Sequence, residues 1–167
     1  MAGRVLEVKK TYVPTPENFH EHIVKVLFGA KANLEENGEH STTLLISKGD
    51  TTYGYWLPDD QQEQQTVLAE IKEEFEGKID YYIFLIELWS VKVPEQEQEK
   101  YSRDPTLIVE NPFKEESLGF EIQGFGQTYL GRIPFERDDT GNVITGDIDW
   151  EANHDPIVVG ALYDMVK

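Results

Sequence analysis

An oxygen-bearing side chain stands at every second position from residue 147 to residue 155: Asp147, Asp149, Glu151, Asn153 and Asp155. A helix–loop–helix calcium site needs oxygen ligands at this spacing, with glycine at its sixth position and glutamate at its twelfth. Here those two positions hold Ala152 and Val158. The intervening Ile148 and Trp150 fit the apolar face of a half-buried strand. The alternation therefore predicts a strand whose acids face water, and no metal site.

Glu87 is the second candidate for chemistry, because it interrupts the most apolar stretch of the chain. Strand alternation puts its side chain on the same face as Leu85 and Trp89. A carboxylate is costly to bury unless it is paired, which here suggests an arginine partner. Such a pair beside Trp89 would form the floor of a ligand pocket with residues 94–105 as its lid. Alternatively, Glu87 marks the point where the strand emerges into water.

We therefore predict four ligand-binding residues, with one arginine in the lid and the other in a later strand: Glu87, Trp89, Arg103 and Arg132. General acid catalysis at the same place would need a second carboxylate facing Glu87. His154 and Asp149 are the candidates to assist such a reaction.

The other motifs predict no metal or cofactor. His20 and His22 lie two apart in a predicted helix, so their side chains diverge and cannot share an ion. His20 is expected beside the apolar stripe of that helix and His22 in solvent. The glycines around Phe125 do not lead from a strand into a helix, so a dinucleotide fingerprint is excluded by its context. The chain also lacks cysteine, a phosphate-binding loop and a nucleophile motif.

Negative charge is concentrated in the second part of the chain. Residues 1–57 hold 7 acids and 6 bases, a net charge of −1, whereas residues 58–167 hold 25 acids and 9 bases, a net charge of −16. Such a surface repels phosphates and anionic lipids, so we expect no direct nucleic-acid or membrane partner. The alternative use of this charge is imitation of DNA by an inhibitor of a DNA-binding protein.

The length of 167 residues and the 39% of hydrophobic residues predict one domain with a substantial core. The first residues lack the apolar run of a signal peptide, and no apolar stretch reaches the length of a membrane span. Together with the absence of cysteine, these features predict a cytoplasmic protein.

Helix and strand signals alternate through the first half of the chain. Pro16 and Asn37-Gly38 delimit a helix capped by Thr15, and residues 41–58 predict a hairpin. A second helix is expected from Pro58 to about Glu76. The stretch from Ile79 to Val93 predicts a central strand, because both of its faces are apolar from Tyr81 to Ile86.

The second half of the sequence predicts an exposed loop followed by adjacent strands. The loop covers residues 94–105, and a turn is expected at residues 138–142. The predicted strands are Thr106–Glu110, Leu118–Phe125, Thr128–Glu136 and Val143–Ala152. A short helix is expected from Pro156, and the acids of this half are expected to point into water. The fold class is therefore α+β, a single domain with a mainly antiparallel curved sheet, two principal helices packed on one face and a short C-terminal helix.

The sequence favours a non-catalytic module that binds a protein or a small ligand, because it shows no catalytic motif. One alternative is a carboxylate-based enzyme with a pocket at Glu87 and Trp89, and the other is the DNA-mimic inhibitor. The oligomeric state is left open.

Overall fold

The computed structural model of the protein describes residues 4–75, 78–91, 93–104, 106–150, 162 and 165–167. The helices within these residues are α1 (Phe19–Asn37), α2 (Gln61–Glu74), α3 (Glu95–Arg103) and α4 (Thr106–Glu110). The strands are β1 (Arg4–Lys9), β2 (Thr43–Lys48), β3 (Thr51–Trp56), β4 (Tyr81–Ser90), β5 (Glu115–Gly124), β6 (Gln127–Arg137) and β7 (Val143–Thr145). None of these described helices combines the length and apolar character that a membrane crossing needs.

The strands form one antiparallel sheet in the order β1-β3-β2-β4-β5-β6-β7. Three of the six neighbouring pairs are joined by short turns: β2–β3, β5–β6 and β6–β7. The α+β class and the mainly antiparallel sheet are thereby confirmed. The central position of β4 follows from its sequence, because its first five residues are buried and apolar on both faces.

Helix α1 ends where the sequence predicts and begins later than expected. Gly38 has a φ of 77°, and its N–H donates to the carbonyl of Leu34 at 2.8 Å, which closes the last turn. At the other end, Thr15 does not cap the helix. Asn18 holds the cap position, and its side chain accepts the N–H of Thr15 at 2.7 Å, so residues 15–18 form a turn before the helix.

The two principal helices lie on opposite faces of the sheet, and the prediction that they share one face is wrong. Buried residues of α1 pack with Tyr81, Ile83 and Leu85 of β4. Buried residues of α2 pack with Tyr82 and Phe84, which point the other way. Because β4 is apolar on both faces here, each face needs its own cover. Leu162 and Met165 are buried in the α2-side core, while most of the helix expected from Pro156 lies outside the described residues.

Residues 95–110 are helical, which corrects two predictions. The expected loop contains α3, whose acidic first turn and Lys100 and Arg103 in the last turn favour the helix dipole. The expected strand Thr106–Glu110 is α4. Its start is capped by Asp104, whose carboxylate accepts the N–H of Thr106 at 3.2 Å and its hydroxyl at 2.5 Å. This cap outweighs the strand preference of the apolar run that follows.

The strand predicted over Val143–Ala152 is shorter in the structure, since β7 ends at Thr145. The chain returns to β6 at Asp149, which exchanges two backbone hydrogen bonds with Arg132 at 2.8 and 2.9 Å. This close approach requires Gly131, because a Cβ there would lie 2.4 Å from the Asp149 carbonyl oxygen. Ile148 and Trp150 pack on the α1-side core, as the alternation predicts. Residues 151–155, including His154, lie outside the described residues.

Not all acids of the second half point into water. Glu121 of β5 has 0% exposure, and it lies opposite Phe84 on one side and Leu130 on the other. It shares a face of β5 with Ser117 and Gln123, which are also buried. The structure therefore shows a covered polar face on β5. The expectation that the acids form only an outer coating is wrong at this residue.

We predict that trypsin or a glutamate-specific protease cuts first within residues 94–104. Helix α3 has no buried residue, and a nine-residue helix without a buried face is marginal in water. The measurement is mass spectrometry of early digestion products. Removing the trypsin sites with Lys100→Gln and Arg103→Gln should delay the first tryptic cut, and an unchanged digestion pattern would contradict the prediction.

The hydroxyl of Tyr82 supplies a second prediction. It is buried and has no hydrogen-bond partner among the described residues, whereas the hydroxyl of the equally buried Tyr55 donates to Glu74 at 3.0 Å. Tyr82→Phe should leave the free energy of unfolding unchanged or raise it by about 1 kcal/mol, and Tyr55→Phe should lower it by about 1 kcal/mol. Urea unfolding of both variants measures the difference. Equal destabilisation by the two substitutions would be the contrary result.

Candidate functional site

The central strand β4 extends beyond one of its two neighbours. Strand β5 pairs with all of β4, from Tyr81 to Ser90, whereas β2 pairs with it only from Tyr81 to Leu85. Within the described residues, no strand pairs with the β2-side edge of residues 86–90, which we call the overhang. An unpaired strand edge presents backbone N–H and C=O groups to another chain.

A cleft of about 630 Å³ runs along the overhang. It is lined by four consecutive residues, 86–89, although alternate side chains of a strand point to opposite faces. Four residues in a row can line one cleft only where it follows the edge of the strand. The segments 39–42 and 56–59 form the opposite wall. The volume is within the range of about 300–1,000 Å³ typical of ligand sites.

Glu87 connects the two walls of the cleft. Its carboxylate oxygen Oε1 accepts the backbone N–H of His40 at 2.7 Å. His40 lies just before β2, where a longer β2 would continue beside the overhang. The Glu87 side chain thus satisfies a backbone donor that a strand carbonyl would otherwise have satisfied. Neither prediction for Glu87 described this arrangement, because the residue is half-buried and its described partner is a backbone amide rather than an arginine.

Two tryptophans are exposed at the cleft. Trp56, the last residue of β3, is 63% exposed, and Trp89 is 44% exposed. The indole N–H of Trp89 donates to Glu116 at 3.2 Å, and the ammonium of Lys114 lies 4.7 Å from the centre of its ring. Large exposed aromatic side chains that gather in one place mark interaction sites more often than solvent-facing surface.

The lining of this cleft is acidic. Carboxylates come from three different segments, in Glu39, Asp59 and Glu87, and the described lining residues include no lysine or arginine. Among the described lining residues, only His40 has a basic side chain. The cleft therefore has negative charge on both walls beside aromatic surface.

The structure brings together two of the four predicted ligand-binding residues. Glu87 and Trp89 line the cleft, whereas Arg103 and Arg132 do not. Arg103 is exposed on α3 and pairs with Glu99 of the same helix. Arg132 lies on β6, where its side chain is 3.8 Å from the Asp149 carboxylate and 3.4 Å from the Ser90 hydroxyl. No sequence pattern indicated Trp56, Glu39 or Asp59, since their place in the cleft depends on long-range strand pairing.

A chain of polar side chains near the start of β4 was also missed. The ammonium of Lys10 donates to the Ser47 hydroxyl, Ser47 hydrogen-bonds to Tyr81, and the Tyr81 hydroxyl lies 3.0 Å from Nε2 of His22. Ser47 and Tyr81 are directly opposed on β2 and β4 and almost fully buried. His22 therefore faces the sheet, and the expectation that it faces solvent is wrong. His20 is the exposed one of the pair, with its ring 4.9 Å from that of Trp150.

The protonation states in this chain follow from burial. Burial lowers the pKa of His22, and the nearby charges of Lys10 and Lys25 lower it further. Burial raises the pKa of Tyr81, against the opposing effect of its hydrogen bond to Ser47. A neutral imidazole can accept the proton that a protonated phenol donates, so both shifts favour the observed contact. None of the four clefts described is lined by these residues, which makes the chain a structural connection between β1, α1 and the sheet.

Comparisons with known proteins supply no further assignment. No protein-family model matches the chain, and neither a curated protein nor a solved structure matches it. Within the described residues, no three histidine or carboxylate side chains are grouped so that they could hold a metal ion. The argument for function therefore depends on the cleft.

The lowered pKa of His22 predicts a pH dependence of stability. Because the unfolded chain binds a proton at His22 more readily than the folded protein, protonation favours unfolding as the pH falls below about 6.5. His22→Gln should remove part of the stability loss between pH 7 and pH 5, as measured by urea midpoints. His20→Gln, in the same helix, is the control. Identical pH dependence in wild type and His22→Gln would contradict this role.

Proposed function

We propose that this protein is a non-catalytic binding module that takes an extended segment of a partner protein into the cleft along the overhang. The observation that carries the proposal is the strand edge at residues 86–89, which lines a cleft beside two exposed tryptophans. An extended segment can add to such an edge as a further strand. Its backbone then supplies affinity, and its alternate side chains supply specificity.

The dimensions of the overhang define the size of the segment. Residues 86–90 span about 16 Å, so about five residues of a partner can pair with them. The added strand would run antiparallel to β4 and continue the line of β2, which ends opposite Leu85 at Thr43. Trp56 and Trp89 would flank it with aromatic surface, the residue type that most often anchors protein interfaces.

The contact made by Glu87 supports binding rather than catalysis. Its carboxylate holds the backbone N–H of His40 and thereby keeps the segment 39–42 at its distance from the overhang. A general acid or base instead needs a carboxylate directed at the reacting group. In the proposed function Glu87 is a positioning residue that maintains the second wall of the cleft.

The charge of the cleft also supports a protein partner over a nucleic acid or an anionic membrane. Glu39, Asp59 and Glu87 repel phosphate groups at the place where contact would occur. The proposed partner is therefore a polypeptide, and the cleft needs no cofactor for this use.

The proposal is tested with peptides selected on the protein from a library of random ten-residue sequences. Selected peptides should bind with dissociation constants of about 1–100 μM, typical of a short added strand, and slow hydrogen exchange at the overhang amides that do not bond to β5. Ser41→Trp places a large side chain in the cleft at an exposed position and should reduce affinity by at least about tenfold.

The matched control is Ser102→Trp, which adds the same side chain at an exposed position of α3 outside the cleft. Binding that is equally reduced by both variants, or exchange protection outside the overhang, would contradict the proposal. Failure to select any peptide that responds to Ser41→Trp would do the same.

A further inference from the structure

We infer that the partner segment is basic, and that it places a lysine or arginine side chain against Trp56 and the three carboxylates of the cleft. This inference rests on the proposed function and adds the chemistry of the ligand to it. It follows from the combination of a strand edge, an exposed indole and three carboxylates in one cleft, whose described lining residues include no lysine or arginine.

The aromatic surface of the cleft suits a cation. A lysine or arginine over the face of an indole ring is attracted by the negative potential of that face, and tryptophan is the best of the aromatic residues for this contact. Trp89 already makes it within the protein, with Lys114 at 4.7 Å. Trp56 lies across the cleft, on the wall formed by residues 56–59, with most of its surface open to solvent.

The carboxylates give the charge complementarity. Glu39, Asp59 and Glu87 come from three separate segments, and no lysine or arginine of the described chain lines the cleft beside them. An apolar segment in the cleft would take water from these carboxylates without replacing its hydrogen bonds, which is unfavourable. A basic side chain replaces that water with charge-assisted hydrogen bonds. The cleft thus discriminates between segments that could equally form a strand.

The charge of the rest of the chain acts in the same direction at longer range. Residues 58–167 carry a net charge of −16, so a basic segment approaches a strongly negative surface. Such a field raises the association rate of a cation and depends on ionic strength. It does not by itself select the cleft, and the test therefore has to separate the local contact from the general attraction.

The probe is a fluorescent ten-residue peptide that alternates lysine and threonine, so that the lysines of an added strand share one face. The comparison peptide has acetyl-lysine at each lysine position, which removes the charge and keeps the backbone. We expect the lysine peptide to bind at least about tenfold more tightly than the acetylated one in 150 mM salt.

Two pairs of variants locate the contact. Trp56→Leu should weaken the lysine peptide by about tenfold while Phe113→Leu, at an aromatic residue that is 82% exposed outside the cleft, should not. Asp59→Asn should weaken it more than Asp139→Asn, although both remove one negative charge from an exposed position. Circular dichroism of each variant checks that the fold is retained.

Each outcome decides between the proposals. Loss of binding confined to Trp56→Leu and Asp59→Asn supports the inference. Equal weakening by Asp59→Asn and Asp139→Asn, with no effect of Trp56→Leu, would show general attraction and overturn it. A different result is that library-selected peptides bind at the overhang and keep their affinity when their lysines are acetylated and their arginines are replaced by citrulline. That result would overturn the inference that the ligand is basic, and the proposed function would stand. Absence of any peptide binding to the cleft would overturn both.

Discussion

The pairing of β4 is the constraint on which the rest of the structure depends. Over Tyr81–Leu85 the strand has a neighbour on each edge and a hydrophobic core on each face, so it is enclosed on four sides. Over residues 86–90 it keeps β5 and loses β2. The same strand therefore supplies the centre of the core and the open edge of the cleft. A strand edge that continues from a fully buried strand is held in place by the packing of that strand.

The polar chain from Lys10 to His22 reinforces the buried half of this strand. It joins three elements to Tyr81: the end of β1, strand β2 and the first turn of α1. Buried polar groups that are all satisfied fix one arrangement of their elements, since any displacement leaves one of them without a partner. The two ends of β4 thus have different roles, and the packed end positions the open one.

Local sequence signals were sufficient where a structure depends on neighbouring residues. Gly38, the 41–58 hairpin and the apolar start of β4 each have a short-range physical cause, and each was predicted. The break in apolar character at Glu87 likewise drew attention to the residue that lines the cleft.

The features that the sequence did not reveal depend on long-range pairing or on local caps that compete with propensity. The cleft exists because β2 pairs with a shorter part of β4 than β5 does. The periodicity of a single strand predicts which face is buried, but it does not predict how far each neighbouring strand extends along it. The burial of Glu121 has the same origin, because alternation predicts that a face is polar and not whether another element covers it. Helix α4 was missed because one aspartate cap opposed the strand preference of its apolar residues.

The carboxylates around the overhang also bear on why an open edge persists in this protein. An unpaired strand edge can pair with the same edge of a second copy, and proteins oppose this with charged side chains beside the edge. Glu39, Asp59 and Glu87 have that position here, and a second copy would bring the same three charges against them. Repulsion between identical clefts and attraction for a basic segment are then two consequences of one arrangement. In the proposed function, an acidic rim opposes pairing between two copies of the edge and still admits a cationic segment.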